Sequence, residues 1–382
     1  MTTRIPLCPF EHVEDADLEA RQIDETVLLT VKLLQQRPKP VRRGVHPKSH
    51  GCVRATFTVN ADVPPALQVG LFAQPGRQFA AVVRFSNAAA REGPDVDCRG
   101  RDETPATPDR HGSRGMAVKV LDVGAEVLAE DDGACNQDFL MINQPVFAFA
   151  NAEDYLRLDR VLAKHDDNPV PFFDPLRTKD PRLSQAEREA ILKYIEDEHI
   201  GAAAITRILE TKKIIDGIQA TPVANPLGIQ YFGAAPFLFG ADRVMRFSAR
   251  PCAEVHPTSM PEPPPPDYLR DVLSQAMQQS GTVEFDYMVQ VRGDEDDLEI
   301  ENASKKWDET KPPYAKVARI TIVAPQDIDS AEQKAECERL VFTPWHSLTA
   351  HQPIGGINRL RKAVYEASAQ HRLRQPEGKP GQ

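Results

Sequence analysis

Four polar residues near the end of the chain are spaced to share one face of a helix. Nothing in NRLRKAVYEASAQHR, residues 358 to 372, breaks a helix. At about 100° per residue, Tyr365, Ser368 and Arg372 all fall within about 40° of Arg361. A phenol is a poor metal ligand until it loses its proton, and a guanidinium one turn away favours the charged form. The stripe could thus offer an anionic oxygen to a metal, with Arg372 free to meet an anion at the rim of the same pocket. A surface helix with solvated arginines and one packed tyrosine would give the same pattern.

Other chemistry-bearing residues precede strands or lie in them. RGVHPKSHG, residues 43 to 51, holds two histidines four apart. That spacing could grip a metal from one helix face, but Pro47 and Gly51 work against a helix. A lone loop histidine is otherwise a solvated or capping residue. In VVRFS, alternation puts Val82, Arg84 and Ser86 on one face. If that face is interior, the arginine needs an anion, because a buried unpaired charge is costly; if it faces solvent, it needs none. In DFLMINQPVF, Phe139, Met141 and Asn143 share a face that ends at a proline. An asparagine there also serves as a turn residue.

The elements that must position these residues follow from periodicity. Residues Asp15 to Gln36 carry apolar side chains at helical spacing until RPKP stops them. CVRATFTV, FAAVVRFSN, GMAVKVLDV and DFLMIN alternate as half-buried strands do, and loops rather than long helices separate them. An antiparallel sheet or barrel is expected. AEDYLRLDRVLAKH and the segment from Ser184 to Lys213 predict helices inserted between two sheet halves. Strands resume in GIQYFGAAPFLF, RVMRFSARP, VEFDYMVQV and ARITIVAP. The run PEPPPP, residues 261 to 266, is a stiff extended connector followed by a short helix from Asp267.

The 382 residues are 41% apolar, enough for one large core or two medium ones. A formal net charge of −10 and the lack of a basic cluster interleaved with aromatics argue against a nucleic-acid partner. No run of about 18 apolar residues is present to span a membrane, and MTTRIPLCPF lacks the layout of a secretory signal. A cytoplasmic location is the expectation. The six cysteines, Cys8, Cys52, Cys98, Cys135, Cys252 and Cys337, show neither CxxC nor zinc-like spacing and read as free thiols, most of them in the core.

Taken together, the motifs resemble one family, the haem catalases, and especially their short catalase-related peroxidase-like branch. The stretches that carry the resemblance are RxxH (Arg43 to His46), VRFS (Val83 to Ser86), RHGSRGMAVKV (Arg110 to Val120), NQPVF (Asn143 to Phe147) and RxxxYxxxxxxR (Arg361 to Arg372), in the family's order. VEFDYMVQV followed by IENASKKW is similar to a later barrel strand and loop, and the likeness covers roughly residues 40 to 373. It implies an α+β fold: a catalase-type antiparallel β-barrel with inserted and C-terminal helices that bind haem. An N-terminal arm would occupy residues 1–40 and a single core residues 41–382, with the proline-rich connector at 257–266.

By the same resemblance Tyr365 would be the phenolate ligand of a haem b iron, kept deprotonated by Arg361. His46 would be the acid/base on the opposite side, held by Ser86, with Asn143 orienting peroxide. Arg43, Arg84 and Arg372 would pair with the haem propionates. The implied activity is that of a haem-dependent peroxidase or weak catalase. Hydrogen peroxide or an organic hydroperoxide would be its substrate, an organic molecule its electron donor, and a homo-oligomer its assembly. A haem hydroperoxide isomerase of the allene oxide synthase type and a non-catalytic haem binder are the alternatives.

Departures from the family pattern matter as well. Glu366, Ala367 and Ser368 follow Tyr365 where catalases continue YxDT, and Pro145, Val146, Phe147, Ala148 replaces PIFF. Tyr155 stands about where catalases carry a phenylalanine that stacks on haem. The chain closes soon after its last helix, so no stored NADPH is expected. Val45 precedes the histidine as in catalases, whereas allene oxide synthases have threonine there. That favours peroxide reduction over isomerisation.

Overall fold

The computed structural model describes residues 7–37, 39, 41–103, 106–124, 126–293 and 298–374. The first six residues of the expected arm and the last eight of the expected core lie outside them. Helix α1 (Ala16–Gln35) starts where the Asp15 side chain accepts the amide of Leu18 at 2.8 Å. The first half of the sheet follows as β1 (Ser49–Val59), β2 (Gln78–Asn87), the short pair β3 (Val96–Asp97) and β4 (Arg110–His111), β5 (Arg114–Val120) and β6 (Gln137–Ile142). Three helices are then inserted: α2 (Ala152–Lys164), α3 (Gln185–Asp197) and α4 (Ala202–Gln219). Asn151 caps the first of these, and a reciprocal Ser184–Glu187 capping box starts the second.

Strands β7 (Tyr231–Phe232), β8 (Phe237–Leu238) and β9 (Val244–Pro251) resume the sheet. Residues 261–266 belong to no helix or strand. Then come α5 (Tyr268–Gln278), β10 (Gly281–Arg292), β11 (Ala315–Ala324), α6 (Ala331–Arg339) and α7 (Gly356–Leu373). Sequence periodicity did not single out α6, although Ser330 caps it by accepting the amide of Gln333.

The main sheet runs β10-β11-β1-β2-β5-β6-β7-β9, antiparallel throughout, and β9 pairs back onto β10 to close a barrel. Short β8 pairs beside β7 along β9. Closure leaves these strands no open edge. The barrel is filled with rings: Phe139 lies 4.7 Å from Tyr287 and 5.1 Å from Phe247, centroid to centroid, and Phe57 packs on Tyr287 at 5.3 Å. Alternation assigns faces. Val83, Phe85, Val118 and Phe139 point into this core, and the residues between them point outward toward α7.

Two sequence expectations change here. Cys52 on β1 and Cys337 on α6, expected as free thiols, form a disulfide across 285 residues, with Cα atoms 5.6 Å apart. Tertiary packing alone brings them together, so their spacing carried no trace of it. Of the free cysteines, Cys8, Cys98 and Cys135 are half-buried and Cys252 is exposed, so the core placement does not hold either. Among the described residues no helix is long and apolar enough to cross a membrane.

Helix α7 is gripped from its far side. Arg359 is ion-paired to Glu19 and Glu301, each at 2.7 Å, and to Glu11. Ile357, Leu360 and Val364 pack with Ile23 of α1 and Ala152 of α2. Two residues along a helix is about 200° of rotation, so anchoring Arg359 turns the stripe that begins at Arg361 toward the barrel wall.

Candidate functional site

Pro47 bars His46 from the right-handed helical region, and His46 takes a left-handed φ of 56°. This places its Nδ1 3.1 Å from Ser86 Oγ on β2. The approach is close because β5 offers Gly115 there. A Cβ at that position would lie 2.4 Å from His46 Nδ1 and 2.8 Å from Ser86 Oγ. Burial, and then the nearby Arg84, Arg361 and Arg43, push the His46 pKa down to about 3. The imidazole is therefore neutral at physiological pH. His50 is not its partner: it is buried on β1, with Nε2 3.0 Å from Asn87 Oδ1. Among the described residues no cluster of three His, Cys, Asp or Glu could hold a metal ion.

From the α7 side, Arg361, Tyr365, Ser368 and Arg372 all line one cavity, whose empty space counted out through its open mouth is ≈820 Å³. The Arg361 guanidinium sits 5.4 Å from the Tyr365 ring centroid and 5.5 Å from that of Phe147, and donates to Asn358 Oδ1 at 3.0 Å. Ser368 Oγ accepts the Gly44 amide at 3.0 Å, which ties the loop before His46 to α7.

Arg43, His46, Arg84 and Ser86 complete the polar wall of this cavity, while Leu140, Met141, Ile142, Phe147, Val341 and Phe342 supply apolar surface. Among the described residues no Asp or Glu lines it. Four guanidiniums on an acid-free wall are notable in a chain whose net charge is −10. Arg84 is almost fully buried and donates to the His46 carbonyl at 2.9 Å. Burial, and then repulsion from Arg43, hold its pKa well below the usual arginine range. Burial and Arg43 push Arg372 down to about 10. The buried Nε atoms of Arg84, Arg361 and Arg372 have no hydrogen-bond partner. Buried guanidiniums with partnerless Nε atoms beside a cavity with apolar walls fit an anionic, largely apolar ligand.

A second cavity, ≈850 Å³ when counted out through its open mouth, shares Val45, His46, Ile142, Phe147, Arg361, Val364 and Tyr365 with the first. Ala148, Phe149, Tyr155, Ile218 and Leu360 are among its other wall residues. Burial, reinforced by Asp159, raises the Tyr155 phenol above its usual range. Phe149 packs edge-on against Tyr155 at 5.5 Å and against Phe172 at 5.6 Å.

The fold thus gathers Arg43, His46, Arg84, Ser86, Arg361, Tyr365 and Arg372 around the first cavity and puts Tyr155 on the second. Arg84 is buried, on the barrel's outer wall rather than inside it. Asn143 stands on neither wall. It lies past the end of β6, where its Oδ1 accepts from Ser113 Oγ at 2.9 Å and from the Arg114 amide at 2.7 Å. Sequence reasoning missed Gly115, whose only signal was its place in RHGSRGMAVKV, and Glu338, which gave none.

No family model matches the sequence, and no curated protein matches it. Solved structures do. A fungal catalase superposes with a TM-score of 0.57 at 14% identity, over 98% of this chain and 66% of its own. Catalase A from Saccharomyces cerevisiae gives 0.57 at 14%, over 97% and 67%, and a bacterial catalase 0.53 at 15%, over 97% and 63%. The chain therefore spans about two thirds or less of the length of these proteins, and its fold is catalase-like.

Proposed function

We propose that the chain is a haem-dependent peroxidase with weak catalase activity. The observation that carries this reading is the first cavity: an apolar slot between a neutral histidine and a tyrosine, walled by four arginines and, among the described residues, no acid. An apolar ligand with two carboxylates matches its lining in polarity and charge. Tyr365 would be the iron ligand, Arg361 the cation beside its ring, and Arg43, Arg84 and Arg372 the partners of the propionates. Haem, when bound, would supply an iron able to exchange two electrons with a peroxide.

The chain's own part is proton handling and exclusion. In the tautomer whose Nδ1–H donates to Ser86 Oγ, His46 Nε2 carries the lone pair, takes the proton from one peroxide oxygen and returns it to the other. Its low pKa keeps that lone pair free across the physiological range. Asn143, with Oδ1 committed to Ser113 and Arg114 and on neither cavity wall, has no part in this proton path. The apolar wall of the second cavity favours an organic peroxide or donor over hydrogen peroxide alone. The same cavity keeps a hydroperoxide isomerase as the second reading, which would consume a lipid hydroperoxide with no donor oxidised.

The cytoplasmic location read from the sequence and the Cys52–Cys337 bond pull in opposite directions, since disulfides are rare in reducing compartments.

The test is uptake of ferric haem by purified protein, followed by visible spectrum and by thermal melting. The expected result is a bound high-spin ferric haem and a raised melting temperature. Tyr365→Phe should stay folded, because the ring's packing survives, while haem retention weakens or disappears. A folded wild type that takes up no haem would end this reading, and an unchanged spectrum in Tyr365→Phe would remove Tyr365 as ligand.

A further inference from the structure

Glu338 has no part in the function just proposed, yet it reaches the arginine cluster. Its Oε2 lies 2.7 Å from Arg43 Nη1 and its Oε1 3.8 Å from Arg84 Nη2. The main chain around it accepts further donors of Arg43 and Arg372. Arg43 donates to the carbonyls of Cys337 at 3.1 Å and Leu340 at 2.7 Å, and Arg372 donates to those of Glu338 and Leu340. Carbonyls satisfy hydrogen bonds without adding charge. Arg43 and Arg84 therefore share one carboxylate while Arg372 meets only carbonyls, and of the three charges two are left toward the cavity.

The segment itself is pinned, because Cys337 is bonded to Cys52 on β1. The Glu338 side chain is not: it is 31% exposed and can turn into solvent while the main chain stays. A ligand with one carboxylate that replaces Glu338 exchanges one anion for another and gains little. A ligand with two brings a charge that Glu338 cannot supply.

We propose that Glu338 is a displaceable counter-anion of this site: it holds Arg43 and Arg84 in the free chain, yields to an entering carboxylate, and so selects ligands that carry two. The haem identity of that ligand rests on the reading above; the anion exchange does not.

Two measurements decide it. In the first, wild type and Glu338→Gln are titrated with ferric protoporphyrin IX and with its dimethyl ester, read by visible absorbance. Gln keeps the shape and a hydrogen-bond acceptor but removes the competing charge. Affinity for the free acid should rise by roughly tenfold, the weight of about one charge-assisted hydrogen bond near solvent, and affinity for the ester should not change. An acid affinity that is unchanged or lower in Glu338→Gln overturns the proposal. In the second, wild-type melting is followed with succinate and with acetate at constant ionic strength, an arm that needs neither porphyrin nor the variant. Succinate should raise the melting temperature and acetate should not, and equal effects overturn the proposal. If neither porphyrin binds while succinate still stabilises, the haem reading fails, and the exchange at Glu338 stands only if Glu338→Gln strengthens the succinate effect; an unchanged effect overturns it.

Discussion

The two faces of β2, β5 and β6 are built from alternate residues of the same strands, yet they answer different demands. Inward, Val83, Phe85, Val118 and Phe139 fill a closed barrel with no polar side-chain atom among them. Outward, Arg84, Ser86, Ala117 and Leu140 face α7 across a cavity, and the buried Arg84 Nε there lacks a partner. The inner face is satisfied by volume and apolarity. The outer face leaves charge unspent, and burial alone cannot explain why a chain keeps it. The contrast separates a face closed by packing from a face whose buried guanidiniums line a cavity.

The sharpest way to break that contrast is to truncate one residue on each side. Phe139→Ala should destabilise the chain by about 3–5 kcal/mol through the cavity it leaves among Phe57, Phe247 and Tyr287, as denaturant titration would show. His46→Ala should leave stability nearly unchanged and haem bound, while peroxide turnover falls about 10²- to 10⁴-fold. If His46→Ala unfolded as easily as Phe139→Ala, or turned over like wild type, the division of labour would collapse.

Much of this division was legible in the sequence. Period-two alternation in VVRFS and DFLMIN already separated Arg84 and Ser86 from Phe85, and helical spacing already aligned Arg361, Tyr365, Ser368 and Arg372. Both are local periodicities, fixed by backbone geometry. What the sequence did not carry was long-range: the Cys52–Cys337 bond, the approach of Glu338 to Arg43, and the buried cluster in which Lys119 is 2.8 Å from Asp138 and His346 3.0 Å from Asp138. No spacing rule links residues 285 or 295 positions apart. Which way Arg84 faced was undecidable locally, because strand alternation assigns faces but not insides.

A pH titration sharpens the comparison, because each region buries a histidine. His46 in the site is pushed down to about 3, and His351, packed between Phe72 and Phe239, to about 4, each mainly by burial. His50, beside Asn87, is likewise pushed to about 4. In the unfolded chain a histidine titrates near ~6.5. Below that value the unfolded state binds protons that the folded state refuses, so stability is complete above pH ~6.5 and is lost as pH falls toward 4. Asp159 acts in the other sense. Burial lifts its carboxyl to about 7, so its contribution is complete below ~4 and drains as pH rises through 7. Three histidines should outweigh one carboxyl, and melting temperature should climb between pH 4 and 6.5. His351→Gln and His46→Gln should each flatten the acid limb, yet only the second should lower turnover at pH 7. A flat limb in wild type would mean that the buried histidines are protonated after all.

The smallest expected effect lies at the edge of the second cavity, where the chain departs from the family whose fold it shares. Ala148 stands where the resemblance expects an aromatic residue, and it lines the second cavity with Phe149 and Tyr155. Phe149 does not fill the vacated volume, because its ring is committed edge-on to Tyr155 and Phe172. On the proposed function, an approach to His46 without that ring would admit a bulky donor and hold a small peroxide less firmly. Ala148→Phe should narrow it. The ratio of donor oxidation to oxygen release from hydrogen peroxide should fall by no more than roughly tenfold, the scale on which adding or removing apolar groups at a pocket wall discriminates substrates. Haem content and melting temperature should stay close to wild type, since the added ring enters existing space. A variant whose ratio does not move would show that the width of this cavity does not choose between the two activities, and that the outer face selects its substrates at the arginines instead.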